Sequence, residues 1–420
     1  MVRPLTRANI SPVKPLFSVG WLSAGLILAL GIHANHRLLA EDWRQFRGSS
    51  STAISRSAAP PVEFDSSGKN VAWKVDLPGR GLSSPIIIDD RVVVTASSGP
   101  RQDNLHILCF KASTGELLWE RRFLATGRSL THPKTCNAAP TPASDGEKIF
   151  AFFSSNDVIC LDLTGQLLWM RGLTLDYPNA SNSLGMSSSP VVAGDVLVTQ
   201  VENDSESLTT GLNTSTGETL WKLDRPRRAN WTSPLLLADG QTVLLQSSKG
   251  ADAVDARTGN ILWSFGEGAA TIPSSAREGE TIFIPSNGLV ALRPANSNTP
   301  PEKLWQENKL KPGTATPVVA EGKVYCLSGA GVLLCANVDK GELLWQLRLE
   351  GPFSASPVIA DRKLYCVNES GKCFVVDLTG SKGTIVAESL LDETILATPS
   401  LSDGALYLRS DAHLWKIATP

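Results

Sequence analysis

The stretch Thr114-Gly115-Glu116-Leu117-Leu118-Trp119 decides the reading of this chain, because it recurs. It returns as Thr164-Gly165-Gln166-Leu167-Leu168-Trp169, as Thr216-Gly217-Glu218-Thr219-Leu220-Trp221, as Thr258-Gly259-Asn260-Ile261-Leu262-Trp263 and as Gly341-Glu342-Leu343-Leu344-Trp345, with a worn copy at Lys303-Leu304-Trp305. Successive tryptophans stand 50, 52, 42, 42 and 40 residues apart. A period of that size marks a repeat architecture built from one supersecondary unit.

Working outward, each unit opens with small or hydroxylated residues and a proline. The openings are Ser83-Ser84-Pro85, Pro140-Thr141-Pro142, Ser188-Ser189-Pro190, Thr232-Ser233-Pro234, Ala270-Thr271-Ile272-Pro273, Ala315-Thr316-Pro317, Ala355-Ser356-Pro357 and Ala397-Thr398-Pro399. A short apolar strand follows, such as Ile86-Ile87-Ile88 or Val318-Val319, then a turn such as Asp145-Gly146, Asp239-Gly240 or Asp403-Gly404. Asp-Gly between apolar runs is a strong hairpin signal, since glycine takes the positive φ the turn requires. A second and a third strand come next, then the Thr-Gly turn and a fourth strand with the tryptophan. Four short antiparallel strands per repeat describe a β-propeller blade.

Eight openings predict an all-β, eight-bladed propeller of four-stranded antiparallel blades. The last unit, from Ala397 to Pro420, holds about three strands, while Val71-Ala72-Trp73-Lys74-Val75-Asp76-Leu77 is a fourth-strand sequence with no blade before it. Pairing the two closes the ring and removes the exposed edges of an open array. Trp73, Trp119, Trp169, Trp221, Trp263, Trp305 and Trp345 are then expected between neighbouring blades, with the turn glycines Gly115, Gly165, Gly217, Gly259 and Gly341 of the next sheet packed over them. Burying such a side chain is worth roughly 1.5–3 kcal/mol.

The amino terminus differs in kind. Arg3, Arg7 and Lys14 precede an uncharged run from Pro15 to Ile32, and Leu38-Leu39-Ala40 leads into Glu41-Asp42. Residues 1–40 read as a signal peptide or a retained signal anchor, 41–70 as an amino-terminal extension and 71–420 as the propeller. Both readings of the leader export the chain. Removing residues 1–40 takes away four of the 39 cations and none of the 41 acids, leaving 35 against 41 and a net charge of −6. No basic face points to nucleic acid, and a membrane enters only through the leader.

All seven cysteines follow the leader, and none lies beside its apolar run, where a lipid anchor needs one. If Asn368 to Gly371 form a four-residue turn, Cys366 and Cys373 face each other on paired strands, a candidate disulfide in an exported chain. The alternative is that the cysteines are small buried hydrophobes.

Ala253-Val254-Asp255-Ala256-Arg257-Thr258-Gly259-Asn260-Ile261-Leu262-Trp263 resembles the tryptophan-docking pattern A-x-D-x-x-T-G-x-x-x-W of the PQQ-like β-propeller repeat family. Looser versions stand at Asp162-Leu163-Thr164-Gly165, Asn213-Thr214-Ser215-Thr216-Gly217 and Asp377-Leu378-Thr379-Gly380, and the resemblance spans about residues 42–420. It implies one of two functions: a quinoprotein alcohol dehydrogenase, or a non-catalytic BamB-like propeller of the bacterial envelope. The start Asp42-Trp43-Arg44-Gln45-Phe46-Arg47-Gly48 also looks like that of mature exported propellers of this kind, with Trp43 and Phe46 expected to plug one mouth of the ring.

The dehydrogenase branch implies adjacent cysteines, an Asp base and a metal site of Glu, Asn and Asp holding PQQ with Ca²⁺. The chain has no Cys-Cys pair and no Cys-x-x-Cys-His haem motif, and its strand openings offer hydroxyls. His106, His132 and His413 show no metal spacing, and no Gly-x-Ser-x-Gly elbow exposes a serine. The expectation is therefore a binding or scaffolding module of the periplasm or cell envelope with an envelope protein partner, no catalytic residue, no metal and no cofactor. The alternatives are the PQQ-dependent oxidoreductase and a small-ligand or glycan sensor. The candidate binding loop is Thr126 to Asn137, with Arg128, His132, Lys134 and Asn137 at a channel mouth. A second insertion runs from Asp176 to Met186, with Tyr177, Asn179 and Asn182.

Overall fold

Apolar runs separated by Asp-Gly and Thr-Gly turns fold here as eight small sheets around one axis. The structure is a computed structural model that describes residues 41–57, 59–180, 184–294 and 299–419. The leader and Asn182 lie outside the described residues. Blade 1 shows the unit: strands Ile86–Ile88, Arg91–Ser98, Asn104–Lys111 and Leu117–Leu124 pair antiparallel in that order. Six sheets at 143–172, 191–224, 235–265, 276–307, 318–348 and 358–390 repeat it as blades 2 to 7. The inner strands are buried on both sides, as Ile86, Ile87 and Ile88 show, while the outer strands alternate between seam and solvent.

Blade 8 is composite. Ser400–Ser402, Ala405–Arg409 and His413–Ile417 are completed by Val71–Asp76, in register from Val71 opposite Ile417 to Asp76 opposite His413. The ring therefore closes with the unclaimed fourth strand, and no blade is left with a missing edge.

The outer strands carry a device that alternation does not reveal. In blade 1 Trp119 pairs with Cys109 and Leu117 with Phe110, so Leu118 is skipped. The same one-residue bulge skips Leu168, Leu220, Leu304, Leu344 and, in blade 8, Ala72. A bulge shifts the pleat by one, so two successive leucines face out and the tryptophan turns in. Leu117 and Leu118 are exposed; Trp119 is buried.

What the tryptophan meets is the turn of the next blade. A Cβ on Gly165 would stand 2.7 Å from the Trp119 ring, and the contact recurs for Gly217 on Trp169, Gly259 on Trp221 and Gly341 on Trp305. Trp73 meets Gly115 in the same way across the closure. The indole N–H then donates to a backbone carbonyl of the same turn: Trp73 to Ala112 at 3.0 Å, Trp169 to Thr214 at 3.0 Å, Trp221 to Ala256 at 2.8 Å and Trp305 to Val338 at 2.7 Å. Trp345 docks on Gly383 and not on Gly380, whose Cβ would meet only Lys382.

Blade 7 has Ala387 where the tryptophan would stand. The next turn does not exist there, because blade 8 joins its third and fourth strands from opposite ends of the chain. The extension fills the seam instead. Phe64 is buried, its N–H donates to Ser389 Oγ at 3.0 Å, and Tyr365 Oη donates to Pro60 O at 2.9 Å.

The rest of the extension crosses the mouth on the side of the first hairpin turns. Trp43 exchanges backbone bonds with Ile87, Ser144 N donates to Arg44 O, Val192 N to Gln45 Oε1, Arg277 Nη2 to Ser50 O and Ile359 N to Ala53 O. Ile54–Ser55 adds a short parallel strand to the inner edge of blade 7. These residues bond to five blades.

One sequence expectation is corrected. Cys373 pairs with Val367 and Cys366 with Phe374, because the turn takes five residues rather than four. The pleat sends the two thiols to opposite faces, and both are free and buried.

Candidate functional site

The openings of the eight units meet around the axis. Ser84, Thr141, Ser189, Ser233, Ser274, Thr316, Ser356 and Thr398, one per blade, line a cavity of about 460 Å³. They also fasten the blades. Ser84 N donates to Thr141 Oγ1 at 2.9 Å, Thr141 N to Ser189 Oγ at 3.0 Å, Ser189 N to Ser233 Oγ at 3.0 Å and Ser233 N to Ser274 Oγ at 2.9 Å. Ser274 N, Thr316 N and Ser356 N continue the pattern to Thr316, Ser356 and Thr398 at 3.0 Å each. A hydroxyl that accepts a backbone N–H keeps its own O–H to donate. Between blades 8 and 1 the link passes through Ser400 Oγ to Pro85 O at 2.6 Å and Arg409 Nη1 to Ser83 Oγ at 2.6 Å.

Phe46 forms part of the cavity wall, contributed by the extension that plugs the far mouth. Leu82, Leu184, Trp231, Ile272 and Leu396 add apolar surface, and His132, Lys134 and Thr135 add polar surface. The two insertions meet over this end. His132 N donates to Leu184 O at 2.9 Å, and Trp231 Nε1 donates to Gly185 O at 2.8 Å. Lys134 Nζ reaches across to Glu369 of blade 7, 3.1 Å from both carboxylate oxygens. Arg80 Nη1 holds the loop from below through Pro133 O and Thr135 O.

The loop residues divide. His132 and Lys134 line the cavity; Arg128 is exposed and does not line it. Asn137 is fully buried as a splint, with Nδ2 donating to Gln102 O and Oδ1 accepting Ser155 N. The root of the loop is tied by Asp157, which accepts Thr126 N–H and Oγ1–H and Ser155 Oγ–H. Burial lifts the Asp157 carboxyl above the usual range, its hydrogen bonds notwithstanding.

Two buried guanidinium groups have no carboxylate partner. Arg47, next to Phe46, leaves Nε and Nη1 without an acceptor, and burial pushes its pKa down to about 9. Burial also pushes Arg409 down to about 10.

The donor set can be tested against a metal-held quinone. Ca²⁺ takes six to eight oxygens, carboxylates prominent among them. The described residues lining the cavity include no Asp or Glu, and among the described residues no group of three or more His, Cys, Asp or Glu is placed to hold a metal ion. These residues do not fit Ca²⁺ with PQQ. They suit a ligand held by O–H donors and apolar contact.

Sequence reasoning reached the hydroxyl openings and both insertions. It did not reach Trp231 as a cavity residue, Ser274 as the hydroxyl that follows the opening at 270–273, or the meeting of the insertions, for which the sequence carries no local signal.

Residues 48–210, 181–300 and 297–386 match the model of the family described as outer membrane protein assembly factor BamB. Among solved structures the chain is similar to BamB from Moraxella catarrhalis, at 16% identity and a TM-score of 0.63, over 83% of this chain and 97% of that one. It is similar to a europium-containing methanol dehydrogenase at 11% identity and a TM-score of 0.69, over 90% and 98%. A quinohemoprotein alcohol dehydrogenase from Comamonas testosteroni matches at 13% identity and a TM-score of 0.67, over 90% and 80%. No curated protein matches the chain. At these identities the structural likeness concerns the fold alone.

Proposed function

From the fact that this chain belongs to the family of the outer membrane protein assembly factor BamB, we propose that it is an exported propeller acting as a binding and scaffolding module of the cell envelope. The observation that carries this reading is the make-up of the channel. A ring of eight hydroxyls, an aromatic and aliphatic mouth and no carboxylate in the lining equip it to hold something by hydrogen bonds and apolar contact. A quinone-dependent oxidation would need a metal-binding donor set that these residues do not supply. The partner is an envelope protein, with a role in outer-membrane protein assembly carried by family analogy alone. The contact surface is the mouth where the two insertions meet, with His132 and Lys134 at its rim.

Residues 41–420 titrated with PQQ and Ca²⁺, followed by absorbance and melting temperature with dye-linked alcohol oxidation in parallel, are expected to show neither binding nor turnover. Turnover would overturn the reading. Cross-linked pull-down from envelope fractions is expected to capture a partner with the native protein and to lose it with His132→Ala and Lys134→Ala together. Equal capture by that variant removes the mouth as the contact surface.

A further inference from the structure

Away from the channel, three side chains from three neighbouring strands of blade 1 form a hydrogen-bonded line. Ser98 Oγ lies 2.7 Å from His106 Nε2, and His106 Nδ1 lies 2.7 Å from Glu120 Oε1. The register explains the meeting. His106 stands opposite Ala96 on one side and Arg122 on the other, so Ser98 and Glu120 are its diagonal neighbours on the same face. Ala96, with only a methyl, leaves the ring room to lean toward Ser98. Arg122 grips Glu120 through Nε to Oε1 at 2.8 Å and Nη2 to Oε2 at 3.0 Å. That contact, ahead of the one from His106, holds the carboxyl below its usual range.

We propose that Ser98, His106 and Glu120 form a hydrolytic triad for small esters with an apolar acyl chain. A nucleophile hydrogen-bonded to a base, and the base's other nitrogen hydrogen-bonded to a carboxylate, is the arrangement that activates a serine whatever the fold. Ser98 is partly exposed at the end of its strand, just before the exposed Gly99 at φ +85°, while His106 is buried behind it. The backbone N–H of Gly99 follows the nucleophile directly, the place from which an oxyanion donor acts. A cleft of about 500 Å³ between blades 8 and 1, lined by the apolar Val75, Leu77, Pro78, Leu108, Phe110 and Leu117 and by Asp76, borders Glu120 on this face. Its walls suit a short hydrocarbon chain.

The step balances with water alone. Ser98 Oγ bonds to the ester carbonyl carbon as its proton passes to His106 Nε2. The bond from that carbon to the alcohol oxygen breaks, and His106 gives the proton to the departing oxygen. Water then repeats the sequence on the acyl-serine and releases the acid. Glu120 is a positioning residue: it fixes the imidazole with Nε2 toward the serine. This inference rests on blade 1 and is independent of what the channel binds.

The test is labelling of the folded full chain with a fluorophosphonate probe, mapped by peptide mass spectrometry, beside hydrolysis of p-nitrophenyl butyrate. An adduct on Ser98 is expected, and Ser98→Ala is expected to lower hydrolysis on the order of 10³-fold. Glu120→Gln should lose most of the rate while Glu120→Asp regains part of it, a rescue that reports on imidazole orientation. Wild-type protein that leaves Ser98 unlabelled, or hydrolysis unchanged in Ser98→Ala, would overturn the proposal and leave His106 a buried side chain with satisfied partners. The wild-type labelling needs no variant to fold.

Discussion

Gly259 lies so close beneath Trp221 that a Cβ on it would stand 2.7 Å from the indole ring, and its φ is +75°. Gly259→Ala therefore combines a left-handed backbone with overpacking, and should cost about 2–4 kcal/mol in urea unfolding. Gly240, at φ +68° with nothing within 4 Å, separates the two effects. Gly240→Ala should cost only about 1 kcal/mol; equal costs at the two sites would show that the docking contact carries no load.

Phe64 takes the place of a tryptophan at the seam where Ala387 leaves none. Phe64→Ala should destabilise by about 3–5 kcal/mol and open residues 59–66 to limited proteolysis. A cost below about 1 kcal/mol would mean that the extension is laid over the ring rather than built into it.

All seven thiols are free and buried, and burial pushes Cys136 up to about 11 and Cys109, Cys160 and Cys335 up to about 12. Since the thiolate is the reactive form, native protein should not react with Ellman's reagent, and all seven should react after denaturation. A count two short would reveal a Cys366–Cys373 bridge and the one-residue register slip it requires.

Asp157 gives a pH dependence of unusual sign. Its folded-state pKa lies above the unfolded value, so the folded chain holds the proton more tightly. Its contribution is complete below the unfolded pKa and is lost as pH rises through the folded one. Wild-type stability minus that of Asp157→Asn, measured by denaturant unfolding from about pH 6 down to about pH 4, should rise as pH falls. A difference that falls with pH contradicts the assignment.

The architecture was legible because its signals are local and repeated: an opening in all eight units, a hairpin turn after it, a tryptophan on seven of the eight outer strands and a Thr-Gly turn before four of those tryptophans. The orphan strand around Trp73 even indicated how the ring closes. The bulge at Leu118 and its equivalents was not legible, because it changes register without changing residue type. The looser docking pattern ends at Gly380, three residues before the Gly383 that meets Trp345, and nothing in the sequence says which of two nearby glycines a ring approaches. Ser98, His106 and Glu120 were hidden for a related reason: each lies on a different strand, and only the register brings them together. Seven of the eight channel hydroxyls stand in the unit openings and Ser274 directly follows the remaining one, whereas the contact of His132 with Leu184 depends on two loops folding over one mouth.

The pairing of Val71–Asp76 with His413–Ile417 sets an order of events. As the chain is made from its amino end, the first outer strand has no partner until nearly every other residue has appeared. Its backbone groups stay bonded to water while seven sheets form beside it, and the final pairing must gather a very long loop at once. Completion is thus a single late event, like the fastening of a clasp, and a chain halted short of its last strand would remain an open arc with a bare edge at each end.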